Sequence, residues 1–192
     1  QFYVAPPRRF SAEVGYRFRT DLDTPIMVIE AETDVGSRSR YVLARQPDTE
    51  HLRVWEMAGT AHSDKYMVGG FDLGCGLINT GPHHWIAKAA FACLVDWATT
   101  GKQPNGAPVL EIDPSTFAFS KDGYGNTRGG VRTPAVDVPV SVLSGDPRPG
   151  TPQVCALLGS TTPFDADTLK SLYPSADDYL GKVKASLDKA IA

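Results

Sequence analysis

Apolar positions recur along this chain in short, interrupted patterns. Pro25 opens the run Ile26-Met-Val-Ile-Glu30, closed by the polar stretch Glu32-Thr-Asp34. A β-branched run of that length, bounded in that way, predicts a buried strand. Tyr41 to Arg45 predicts a short helix ended by Pro47, and Leu52-Arg-Val-Trp-Glu-Met-Ala58 a second strand stopped by Gly59. From His84 to Thr99, Ile86, Ala90, Cys93, Leu94 and Trp97 fall at helical spacing, with Gly101 as a C-terminal stop. Residues 101–134, dense in Gly, Pro, Asn and Asp, read as turns around at most one short strand. Val136, Val138, Val140 and Val142 alternate as in a strand with one buried face, and Pro139 places that strand at a sheet edge. Ser175-Ala-Asp-Asp178 resembles a capping box, after which Tyr179, Leu180, Val183, Leu187 and Ile191 form an amphipathic stripe. Residues 1–24, with Pro6-Pro7 and no sustained period, read as an arm, lid or linker. No internal repeat, low-complexity tract or strong domain boundary interrupts the chain, which reads as one domain or part of one.

Composition narrows the function. The 192 residues carry a net charge of −3 and 42% hydrophobic side chains, as expected of a folded domain. No apolar run approaches the roughly 20 residues of a membrane helix, and no Lys/Arg cluster marks a nucleic-acid surface. Gly and Pro together make up about 17% of the chain against an average near 12%, which implies long ordered loops. Cys75, Cys93 and Cys155 form no CxxC pair; one disulfide and a free thiol, or three buried thiols, fit equally. The chain opens at Gln1 with neither an initiator Met nor a signal-peptide pattern, an expectation of upstream processing that slightly favours a secreted or periplasmic setting.

Candidate chemistry lies just past the two strands. Asp34 follows the first and His62 the second, 28 residues later. Functional groups of open α/β sheets gather beyond the carboxyl ends of strands. A carboxylate that accepts from one imidazole nitrogen fixes the tautomer and leaves the other nitrogen as a base. Glu32, two residues from Asp34, would point the same way in an extended segment and is the alternative acid. Asp64 reads as a loop-capping carboxylate. Glu56 reads as a buried structural group needing Arg45 or Arg53, and His83-His84 as first-turn surface histidines rather than metal ligands. Arg128 and Arg132 could face the site and hold an anion. Trp55, Trp85 and Trp97 read as core. No metal or cofactor is expected.

These residues resemble a family. Pro25-Ile-Met-Val-Ile with Ala31-Glu-Thr-Asp34, then Arg53-Val-Trp-Glu-Met-Ala-Gly-Thr-Ala-His62, is similar to the acid strand and histidine loop of an α/β hydrolase. Cys75-Gly-Leu-Ile-Asn-Thr-Gly-Pro-His-His84, Gly125-Asn-Thr-Arg-Gly-Gly-Val-Arg-Thr-Pro134 and Leu158-Gly-Ser-Thr-Thr-Pro-Phe164 resemble one bacterial branch of that superfamily. The resemblance implies that residues 25–192 are the C-terminal half of such a domain, a mostly parallel sheet flanked by helices with long Gly/Pro-rich loops. It implies a Ser-His-Asp hydrolase of carboxylic esters, with Asp34 and His62 as acid and base. The superfamily's Gly-x-Ser-x-Gly is absent: no Ser or Cys here has Gly at both −2 and +2. The expected partner is therefore an upstream fragment of the same hydrolase carrying that motif, in a processed heterodimer acting on a small-molecule ester, with no nucleic acid and no membrane span. The alternative is a non-catalytic binding or structural subunit on the hydrolase scaffold.

Overall fold

The computed structural model describes residues 17–19, 21–36, 38–69 and 73–191. Most of the arm expected over 1–24 lies outside them. Four strands and six helices are described: β1 Ile26–Ala31, α1 Glu32–Val35, β2 Leu52–Met57, α2 Lys65–Val68, α3 His83–Thr100, α4 Pro134–Asp137, β3 Ser141–Ser144, β4 Ser160–Pro163, α5 Ala166–Leu172 and α6 Ala176–Ile191. Short 3-10 turns occupy Tyr41–Ala44 and Gln153–Leu157.

β1 and β2 pair in parallel, Ile26 opposite Leu52 through Ala31 opposite Met57. This in-register pairing brings both carboxyl ends to one rim. A third parallel position joins there: the Val131 N–H donates to the Glu56 carbonyl, and the Val131 carbonyl accepts from Ala58 N–H. β3 and β4 pair antiparallel as a separate two-stranded sheet. One face of β1 and β2 presents Val28, Leu52 and Val54 to a core completed by Val35, Tyr41, Leu110, Val136 and Leu143. The opposite face meets α3, which buries Ile86, Ala90 and Trp97, a spacing of four and seven residues that keeps one stripe inward. Gly101, at φ +79°, ends α3 in the left-handed conformation.

Glu56 points into the core at 1% exposure. It receives both prongs of the Arg45 guanidinium at 2.7 Å and the Leu110 N–H at 2.8 Å. Arg45, not Arg53, is its partner; Arg53 pairs with Asp48.

One expectation changes. The valine alternation over 136–142 is not one strand. Thr133 Oγ1 accepts from Ala135 N–H and Pro134 opens a helical turn, so Val136 and Val138 are buried before β3 begins at Ser141. A capping Thr followed by Pro at the first helical position outweighs a period-two pattern. Residues 101–134 contribute isolated bridges and no strand, and the Gly125–Gly130 loop is held from inside by buried Asn126, whose Oδ1 accepts from Leu143 N–H. The stripe of α6 is formed as expected, with Ser175 Oγ accepting from Asp178 N–H, but Leu180, Leu187 and Ile191 remain exposed.

Candidate active site

The carboxyl rim of β1 and β2 is built by two abrupt changes of direction. β1 runs without a linker into the single turn of α1, so Glu32, Thr33 and Asp34 diverge by about 100° each instead of alternating. Glu32 and Asp34 therefore do not point the same way, which corrects the extended reading. Glu32 turns inward at 1% exposure; its Oε1 accepts from Gly59 N–H at 2.6 Å and its Oε2 from Gly145 N–H at 2.9 Å. Asp34 turns to the rim.

β2 is followed by Ala58 and Gly59, the latter at φ +71°. A Cβ on Gly59 would sit 2.5 Å from Val136 Cγ1, so this turn requires glycine. Thr60 Oγ1 closes it by donating to the Met57 carbonyl, and the loop then presents His62. His62 Nδ1 lies 2.9 Å from Asp34 Oδ1. An ionised carboxylate only accepts, so Nδ1 carries the hydrogen and Nε2 keeps its lone pair. The hydrogen bond and the charge of Asp34 raise the His62 pKa above the ordinary imidazole value, against the opposing effect of partial burial. Asp34 is mostly covered and the ring is partly open to solvent.

The histidine loop is fixed at both ends. His62 N–H donates to Thr33 Oγ1 at 3.2 Å and Ser63 N–H to the Leu157 carbonyl at 3.0 Å. Asp64 caps α2, accepting from Tyr66 and Met67 N–H, the loop-capping role expected of it. His83 is not a free surface histidine: its Nδ1 lies 2.8 Å from the Ala61 carbonyl and can only donate there, which props the residue before His62. His84 packs its ring between Tyr66 and Trp85.

Asn79 is the site residue that sequence reasoning passed over. Fully buried, it donates from Nδ2 to the Gly59 and Ser144 carbonyls and accepts at Oδ1 from Gly81 N–H. It thereby ties the histidine loop, the end of β3 and the approach to α3 into one block. Its position between Ile78 and a Thr-Gly-Pro turn is the sort of place where an amide bonds nearby backbone, and that was the available signal. Cys75 and Cys155 form a disulfide beneath Leu158, leaving Cys93 as the free thiol.

Other candidates lie elsewhere. Arg132 is committed to Asp122 and Asp137, and Arg128 to Glu111, so neither guanidinium is held ready for an anion at the rim. Trp97 is core, Trp55 half-buried and Trp85 exposed. Glu30, in β1 four residues before Asp34 and opposite Glu56 on the next strand, is buried, and burial together with the Asp34 and Glu56 charges pushes its pKa well above the usual carboxylate range. Among the described residues, no group of three His, Cys, Asp or Glu side chains is placed to hold a metal ion, and no helix is long and apolar enough to cross a membrane.

A cavity of about 530 Å³ opens beside the disulfide, lined by Lys65, Leu73, Leu77, Ile78 and Leu158. A larger one, of about 700 Å³, lies at the opposite ends of the strands, around Asp23, Pro25, His51 and Gly101. The second is distant from the Asp34–His62 pair because it sits where β1 and β2 begin.

A family model described as an alpha/beta hydrolase domain matches residues 5–192. No curated protein and no solved structure matches the chain.

Proposed function

We propose, from the premise that this chain belongs to the alpha/beta hydrolase domain family, that Asp34 and His62 are the acid and base of a Ser-His-Asp site hydrolysing carboxylic esters. The observation that carries the reading is the 2.9 Å contact between Asp34 Oδ1 and His62 Nδ1 at the shared carboxyl rim of two parallel strands. The serine comes from a separate upstream polypeptide bearing Gly-x-Ser-x-Gly. Two features support that partner. No Ser or Cys in the 192 residues has the flanking glycines, and among the described residues β1 pairs on one side with β2 and leaves its other edge open. An open, apolar strand edge is a site for another strand.

The chemistry follows from the tautomer. His62 Nε2 takes the serine Oγ proton as the oxygen attacks the ester carbonyl, and Asp34 stabilises the imidazolium that forms. The tetrahedral intermediate collapses, the carbon–oxygen bond to the alcohol breaks, and His62 returns the proton to the departing oxygen. Water, deprotonated by the same nitrogen, then releases the carboxylic acid from the acyl-serine. The substrate class is a small-molecule ester.

The test is intact-mass spectrometry of the purified protein after treatment with a fluorophosphonate serine probe, together with ester turnover of His62→Ala. A second polypeptide carrying the probe's mass, and a turnover loss of about 10⁴-fold or more, is the expected result. This chain alone, unlabelled, would instead support the rival reading of a non-catalytic subunit on a hydrolase scaffold.

A further inference from the structure

The tripeptide Glu32-Thr33-Asp34 sends each of its side chains to a different target. Asp34 reaches the His62 ring. Glu32 spans two backbone N–H groups, Gly59 in the histidine loop and Gly145 after β3. Thr33 reaches the backbone of His62 itself. Its hydroxyl has one hydrogen and two jobs: Oγ1 lies 2.7 Å from the Gly145 carbonyl and 3.2 Å from His62 N. A carbonyl only accepts, so the hydrogen goes to Gly145 and the lone pair receives the His62 N–H. The Thr33 rotamer is thus fixed from both sides, and the side chain is buried. Gly145 is where it is because nothing larger fits: a Cβ there would lie 2.5 Å from Glu32 Cβ and from Thr33 N.

We infer that Thr33 is the positioning residue that holds the His62 backbone in register with Asp34, with Glu32 fixing the same loop from below through Gly59. Asp34 by itself secures one ring nitrogen, which leaves the imidazole free to swing about that contact. The Thr33 contact fixes the His62 backbone nitrogen, one bond from the Cα that carries the side chain, so the loop cannot drift while the Asp34 hydrogen bond stays made. Catalytic groups are effective when they are held to within about 0.5 Å by the residues behind them. Glu32 suits its place as a carboxylate, since both of its oxygens face donors; an amide would set an NH₂ against one of them. Burial raises the Glu32 pKa above the ordinary carboxylate value, and the nearby Lys121 charge and the Gly145 and Gly59 N–H groups oppose that rise.

This inference rests on the reading of Asp34 and His62 as a working pair, so the deciding measurement needs no substrate. The His62 ring is titrated by NMR in the full chain for the wild type, Thr33→Val, Thr33→Ser, Glu32→Gln and Asp34→Asn. Asp34 is the ionisable group bonded to that ring; His83 and Glu32 are engaged with backbone groups of the same loop. Asp34→Asn sets the value of a His62 without its carboxylate. Thr33→Val keeps the branched shape and removes the hydroxyl, and is expected to lower the His62 pKa by roughly half a pH unit or more, towards the Asp34→Asn value. Thr33→Ser restores it. Glu32→Gln shifts it in the same direction, which serves as the second measurement if Thr33→Val folds poorly. Unchanged titration in folded Thr33→Val and Glu32→Gln overturns the inference, whatever the protein hydrolyses. A shifted His62 with no esterase activity in the assembled wild type leaves the positioning role standing and refutes the esterase reading.

Discussion

Replacing Asn79 by Ala removes three hydrogen bonds at once, and the structure sets their value. The side chain is fully buried, and its contacts to Gly59 O, Ser144 O and Gly81 N measure 3.1, 3.0 and 2.7 Å. Each such bond contributes about 1 kcal/mol net, and a backbone group stranded away from water costs about 1–3 kcal/mol more. Gly81 approaches so closely that a Cβ on it would lie 2.1 Å from the Gly59 carbonyl, so little water can enter to replace the amide. The expected loss is about 3–5 kcal/mol. With a urea slope of about 2–3 kcal/mol/M, the unfolding midpoint falls by about 1.5 M. The assay is urea unfolding followed by far-UV circular dichroism, with Asn79→Asp as the control. At pH 8 the aspartate keeps the Gly81 contact but turns a charged oxygen towards two carbonyls, so it destabilises at least as much as alanine. Its deficit narrows as the pH falls and protonation gives the group a hydrogen to donate. An Asn79→Ala loss under about 1 kcal/mol, or an Asn79→Asp variant as stable as the wild type at pH 8, would refute the view that this amide holds the histidine loop.

Two further predictions concern stability. The Cys75–Cys155 disulfide spans 80 residues, for which the chain-entropy relation gives about 4–5 kcal/mol at 25 °C; reduction should lower the urea midpoint accordingly, and thiol titration of the unfolded chain should count one thiol before reduction and three after. Three thiols without reductant would contradict the pairing. Glu30 has a pKa raised well above its ordinary 4.5, so folding favours its protonated form: its contribution is fully present below the ordinary value and is lost as the pH rises through the folded-state value. Glu30→Gln should therefore be more stable than the wild type at pH 8, with the difference closing towards pH 4, whereas stability curves parallel across that range would show that burial does not penalise the Glu30 charge.

The elements written as strong periodic patterns were legible. β1, β2 and α3 match their expected ranges to within a residue or two, because a bounded β-branched run and a helical stripe that ends at Gly101 each have one solution. β4, α5 and the turn of α2 were not, since Ser160–Pro163 has no alternation and α2 is a single turn created by the Asp64 cap. The valines at 136–142 misled for a definite reason. Alternation states which side chains are buried and not how the backbone carries them there, and Val136 and Val138 reach the core from a helical turn and its exit.

The choice between Glu32 and Asp34 depended on one backbone decision that no residue type announces. Had β1 continued extended through residue 34, both carboxylates would project to one face and compete for His62. Because the chain turns helical at Glu32, a difference of two residues becomes about 200° around the axis instead of a full period. One acid goes inward to Gly59 and Gly145 and the other outward to the imidazole. The division is also enforced from across the fold. Gly145 can donate to Glu32 and accept from Thr33 only because it lacks a side chain, and it reaches the turn from 112 residues further along. The spacing of Asp34 and His62 was visible in one local stretch, while the selection between two nearby carboxylates was made by a glycine in a distant one.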